Sequence, residues 1–139
     1  MDVQINWWAV AIATIASIVV GSFWYSKPLF GEMWQGLVKL DDKKMKDGMM
    51  QGMVIAVITA VITAYVLAYL TFTVHKTLGG TFSADALKTG FLLWFGVSAT
   101  TIFVQAGFEQ RRVKLTALNL GHSLASLMAM AIAIGWIGL

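Results

Sequence analysis

Eight polar side chains interrupt the last two apolar stretches of this sequence. Ser98, Thr101, Gln105 and Glu109 stand three, four and four residues apart, and Asn119, His122, Ser123 and Ser126 follow after a short break. At about 100° per residue, each set falls on one face of a helix. The break, Gln110 to Lys114, is short enough to make the two helices antiparallel neighbours. Counting inward from it puts Gln105 level with Asn119, Thr101 with His122 and Ser123, and Ser98 with Ser126. Such a seam can do one of two things. Its members can satisfy one another across the helix contact, since a buried polar group without a partner is costly. Or they can line a hydrated vestibule in which His122 takes up a proton. The first reading is preferred, with Thr101 as the partner of His122. Apart from Lys88, near the outer end of the third stretch, no second ionisable group lies in the outer half of either helix, which argues against a proton relay.

Other chemistry finds little support. There is no cysteine, which excludes disulfides, thiolate metal sites and cysteine nucleophiles. The two histidines, His75 and His122, belong to opposite ends of their helices, and no Glu-x-x-His or His-x-x-x-His spacing occurs. Ser123 and Ser126 share a helix face with His122, a weak signal for a nucleophile. The expectation is that the chain has no catalytic, metal-binding or cofactor-binding residues and is not an enzyme.

The elements that must position the seam follow from composition. Of 139 residues, 58% are hydrophobic and 12% charged, with a mean hydropathy of +0.75. A soluble domain carries about one quarter charged residues, and a chain this short has no core large enough to hide such an excess. Four apolar runs start at Trp7, Met49, Ala86 and Leu115, and about 20 residues cross a hydrocarbon layer. The predicted fold is therefore all-α, a single polytopic domain over 1–139 with transmembrane helices over about 6–25, 49–74, 86–108 and 115–138. The Met1-Asp2 start carries no positive charge ahead of the first run, and no small-residue cleavage pattern closes that run, so it reads as a span rather than a secretory signal.

Lysine and arginine set the expected orientation. Lys27, Lys39, Lys43, Lys44 and Lys46 lie in the first loop and Arg111, Arg112 and Lys114 in the third, against Lys76 and Lys88 on the other side. Both cationic loops should be cytoplasmic and both termini outside. The charge of +3 is explained by this pattern, not by a nucleic-acid surface. Within the first loop, past Pro28, Phe30, Met33, Trp34 and Leu37 recur at helical spacing. They predict an amphipathic helix over about 29–39, lying in the headgroup layer with Trp34 as anchor; a loop packed on the bundle is the plainer alternative. Asp41 and Asp42 read as caps of the second span. Gly79-Gly80 reads as a turn and Ser83 as the cap of the third span. Three or four methionines gather where the second span begins.

Small side chains recur every fourth residue: Ala9, Ala13, Ser17 and Gly21; Gly52, Ala56, Ala60, Ala64 and Ala68; Ala117, Gly121, Ala125, Ala129 and Ala133. In lipid, helices associate through close backbone approach and hydrogen bonds. The stripes therefore predict packing surfaces, within the chain or between copies.

Several segments also carry a resemblance: Asn6-Trp7-Trp8-Ala9; Gly21-Ser22-Phe23-Trp24-Tyr25-Ser26 followed by Leu29-Phe30-Gly31 and Trp34; Leu93-Trp94-Phe95-Gly96; Phe108-Glu109; and Asn119-Leu120-Gly121-His122. Across nearly its whole length the chain resembles the small bacterial membrane proteins grouped as domain of unknown function 1761. The resemblance implies four spans and no assigned activity. It marks Gly21, Trp24, Tyr25, Trp34, Glu109, Asn119 and His122 as positions worth testing; Gly21, Trp24, Tyr25, Phe30 and Trp34 form an interfacial motif, with the two Trp and Tyr25 most simply read as membrane anchors. The leading functional expectation is a structural or accessory protein of the bacterial inner membrane, acting through helix packing among lipids as a homo-oligomer or as a subunit of a larger complex. The alternative is a small oligomeric transporter or channel that uses the polar seam.

Overall fold

The computed structural model describes residues 2–138 and is helical throughout, with no strand among the described residues. Met1 and Leu139, the ends of the expected 1–139 domain, lie outside the described residues. Four helices are long and apolar enough to cross a membrane: α1 (Trp7–Trp24), α3 (Asp42–Leu78), a rod over Phe82–Phe108, and α6 (Val113–Ile137). The first loop contains a short helix, α2 (Gly31–Val38). The rod is not uniform. It consists of α4 (Phe82–Leu93), a π-helical segment (Trp94–Ala99) and α5 (Thr100–Phe108).

Side-chain caps fix where the helices begin. Asn6 accepts from the amides of Trp8 and Ala9 to start α1. Asp41 accepts from Lys44 N at 2.8 Å, so α3 begins in the charged segment, ahead of the apolar run from Met49. Gly79, at φ 70°, ends α3 in the left-handed conformation. The cap of α4 is Thr81, which accepts from Ala84 N, and not Ser83 as the sequence suggested. Thr81 comes first in the chain and already satisfies the free amide. Ser83 instead donates across the bundle to the Gly135 carbonyl at 2.8 Å.

Burial is concentrated in one half of the bundle. The core joins Ala9, Val10 and Ala13 of α1, Ala60, Ala64, Leu67 and Ala68 of α3, Ala86 of α4, and Leu127, Met130, Ala131 and Ile134 of α6. All lie toward the end that holds the α3–α4 turn and both termini, where Asn6 Nδ2 also donates to the Gly138 carbonyl at 3.4 Å. Alanine at these contacts lets backbones approach closely. Toward the other end, which carries the Lys/Arg loops, α5 has no buried residue and α3 has none before Ala60. The bundle is closed at one end and splayed at the basic end. On α6, Leu127, Met130, Ala131, Ile134 and Gly135 are buried in the closed half and Leu115, Thr116 and Leu118 near the basic end, while Ala117, Gly121, Ala125, Ala129 and Ala133 are half-buried or exposed.

Candidate functional site

At the basic end, the chain leaving α1 turns back on itself. Phe30 N donates to the Trp24 carbonyl at 3.1 Å, and Gly31 N to that of Ser26 at 2.9 Å. A methyl carbon on Gly31 would collide with the carbonyls of Tyr25 and Ser26, so only glycine allows this turn. The turn lays α2 back over the end of α1. The Trp34 ring then lies 5.4 Å from that of Tyr25, and Phe30 lies 4.8 Å from Trp24. The motif residues therefore pack on one another. Gly21 meets α6 directly: a methyl carbon there would sit 3.3 Å from His122 Nε2.

His122 is thereby framed by aromatic rings, with Tyr25 at 4.9 Å and Trp24 at 6.4 Å between centroids. The Trp24 indole passes over Gly121, and its N–H is buried with no hydrogen-bond partner among the described residues. Tyr25 lies just beyond the α1 span and points its hydroxyl toward Asn119 Oδ1 at 3.5 Å. Burial raises the Tyr25 phenol above its usual range, so it keeps its proton.

Beside these rings the splayed half encloses a partly open chamber of about 590 Å³. One wall is α1 and α6, with Ser17, Gly21, Ser22, Tyr25, His122, Ser123 and Ser126. The opposite wall is the unburied half of α3, with Met45, Met49, Gly52, Met53, Ala56, Thr59 and Thr63. Ser98 contributes from the π-helical segment. The wider turn there also aims Trp94 at α6, where its indole N–H donates to Ser123 Oγ at 2.9 Å and to the Leu120 carbonyl. Wide turns of this kind recur at functional sites.

The structure divides the polar seam. Ser98, His122, Ser123 and Ser126 come together in the chamber, and Asn119 lies just beside it under Tyr25. Thr101, Gln105 and Glu109 do not join them; all three are exposed on α5. The Thr101 hydroxyl donates to the Val97 carbonyl at 2.7 Å, and Glu109 pairs with Arg111 at 2.6 Å. The expected partners on α5 are replaced mainly by α1: Ser17 Oγ lies 2.6 Å from Ser126 Oγ, and Tyr25 serves Asn119. Depth counting gave heights along the helices but not rotation about them. The π-helical turn rotates everything after it by about one residue, or about 100°. His122, assigned to Thr101 from sequence, has no hydrogen-bond partner among the described residues.

A second polar feature escaped sequence reading. Asp85, one residue before the third apolar run, is 1% exposed, and its Oδ2 lies 2.9 Å from His75 Nδ1. An ionisable group thus does sit at the closed end of the third span. An acid in the first turn is an ordinary feature of a helix start. The signal available was the ten-residue separation of His75 and Asp85 across a two-glycine turn, which brings them face to face. Thr71, one turn below His75, is fully buried, and its hydroxyl has no partner among the described residues. Among the described residues, no three His, Asp or Glu side chains gather as metal ligands would.

Comparison with known proteins gives one match. The sequence model of a family described as "Protein of unknown function (DUF1761)" matches residues 8–135. No curated protein and no solved structure matches the chain.

Proposed function

The chain belongs to the DUF1761 family, and from its chamber we propose that it is a non-enzymatic membrane protein that holds a small molecule drawn from its surroundings. The observation behind this reading is a partly open space of about 590 Å³ whose lining includes His122, Ser98 and Ser22. Ligand pockets have this size and this mixture of apolar wall and few polar groups. The chain extracted in lipid nanodiscs should carry a compound other than bulk lipid, detectable by mass spectrometry. The double variant Gly52→Phe, Ala56→Phe, which fills the chamber from α3, should lose it. If the parent and the filled variant carry the same molecules, the reading is wrong.

A second reading, a structural or accessory role through helix packing, is favoured by a separate observation. α5 buries none of its residues in its own bundle yet carries Thr101 and Gln105 outward. Polar groups at helix contacts join spans in lipid, so this face suits another copy or another subunit. The setting we propose for either role is a bacterial inner membrane with both Lys/Arg loops in the cytoplasm and both termini outside. Eight of the ten cations favour it. So does α2, which would lie at the cytoplasmic headgroups with Trp34 in the interface. Single cysteines report both points. In intact cells a cysteine at Gly80 should be labelled from outside and one at Lys44 should not. A cysteine at Gln105 should cross-link between copies on oxidation. Labelling at 44 and not at 80 would invert the topology, and a purely monomeric Gln105→Cys protein would leave α5 to lipid.

A further inference from the structure

Resting on the chamber reading, we infer that the chamber takes an uncharged amphiphile: an apolar body with a single carbonyl or hydroxyl head, seated with its head at His122. The argument is an accounting of the lining. No lysine, arginine, aspartate or glutamate contributes to it; Lys44 and Lys46, the neighbours of Met45, are exposed. A charged head would lose its water there and gain no counter-charge, which is expensive.

Most of the polar groups on the walls are already used. Ser17 and Ser126 are hydrogen-bonded to each other. Ser123 donates to the Leu120 carbonyl and accepts from Trp94. Thr59 and Thr63 donate to their own helix. The lining groups with no hydrogen bond among the described residues are the His122 ring and the hydroxyls of Ser98 and Ser22, with one O–H of the Ser17–Ser126 pair also free, a set that suits a small neutral head making one or two hydrogen bonds. A phosphodiester would present more acceptors than this set can serve.

The rest of the surface suits an apolar body. Met45, Met49 and Met53 face Ile18 and Leu127 across the space, and methionine walls adapt to an irregular shape. The Tyr25 ring beside His122 adds a flat face near the head.

The test uses the full chain in phosphatidylcholine nanodiscs with three probes of equal chain length: 12-bromododecanol, 12-bromododecanoate and 12-bromododecyltrimethylammonium. Bromine quenches tryptophan fluorescence; the Trp24 ring lies 6.4 Å from that of His122 and the Trp94 indole donates to Ser123, and both His122 and Ser123 line the chamber. The alcohol should quench saturably, at about one tenth or less of the concentration the other two require. His122→Leu should weaken the alcohol about tenfold, the loss of roughly one hydrogen bond, while His122→Gln should stay within about threefold of the parent. Should the Leu variant fail to fold, the ranking of heads in the parent and in His122→Gln decides alone. If the carboxylate or the ammonium binds as tightly as the alcohol, or His122→Leu binds the alcohol like the parent, the neutral-head inference is overturned. The chamber reading survives that result if Gly52→Phe, Ala56→Phe still abolishes quenching. If no probe quenches saturably, or if the filled variant is quenched like the parent, the chamber reading itself fails.

Discussion

Replacing His75 by alanine should destabilise the folded chain by about 3 kcal/mol, measured by thermal or denaturant unfolding in micelles. The cost falls on the residue left behind. Asp85 is 1% exposed and its carboxylate faces the Gly79-Gly80 turn, where a methyl carbon on Gly80 would lie 2.7 Å from Oδ1. Without the imidazole at 2.9 Å, that carboxylate keeps its burial and loses its counterpart. Removing one member of a buried pair costs roughly 3–5 kcal/mol, and the lower end applies because His75 retains a quarter of its surface. Asp85→Asn, which keeps the shape and a hydrogen bond to the ring, should cost only about 1 kcal/mol. The double variant His75→Ala, Asp85→Ala should recover part of the single loss. An unchanged melting temperature for His75→Ala would mean the pair contributes nothing to holding α3 against α4.

Three glycine-to-leucine variants should rank by position along the bundle. Gly135→Leu should be worst, at about 3 kcal/mol. A Cβ there would sit 2.9 Å from Ser83 Cα, and a backbone atom in the closed core cannot step aside. Gly121→Leu should follow at about 2 kcal/mol, because the Cβ would lie 2.8 Å and 2.9 Å from two Trp24 ring carbons wedged between Phe30 and His122. Gly52→Leu should be neutral or slightly stabilising. A Cβ on Gly52 meets nothing within 4 Å, and leucine favours the helix by up to about 1 kcal/mol. The same unfolding measurement reads all three. A Gly52→Leu protein as damaged as Gly135→Leu would contradict the splayed half of the bundle.

Much of the scaffold was legible before any coordinates. Uninterrupted apolar runs and the clustering of cations need no tertiary context, so the four long helices follow directly from them. The first-loop motif was recognisable through the family resemblance of its residues, while the turn at Gly31 that folds it back is visible only in the structure. The seam was legible only in part, for a geometric reason. Spacing along a helix fixes which residues share a face, but not which neighbour that face meets. The π-helical turn at Trp94–Ala99 has no simple sequence mark, and it turned Thr101 and Gln105 away from α6. Ser17 and Tyr25 took their place because the small residues of α1, including Gly21, bring it close to α6. Asp85 stayed hidden because acids are common at helix starts, and burial is a property of the neighbours, not of the residue. On α6 the stripe is not the main core face, for a related reason: alanine and glycine permit close contact, as Gly121 does with Trp24, but larger apolar side chains on another face can occupy the core first.

One consequence concerns the length of α3. Its 37 residues extend about 55 Å as a continuous helix, while the hydrocarbon layer is about 30 Å thick. Its buried residues all lie from Ala60 on, and near its start Gln35 Nε2 donates to Asp42 Oδ1 at 2.9 Å. The first half is one piece with a charged stub, Asp42 to Asp47, in which Lys44 and Met45 are adjacent. The helix is therefore a lever with its fulcrum near Ala60. Whatever pulls on the stub from the water displaces the methionine side of the chamber, and whatever swells the chamber moves the stub.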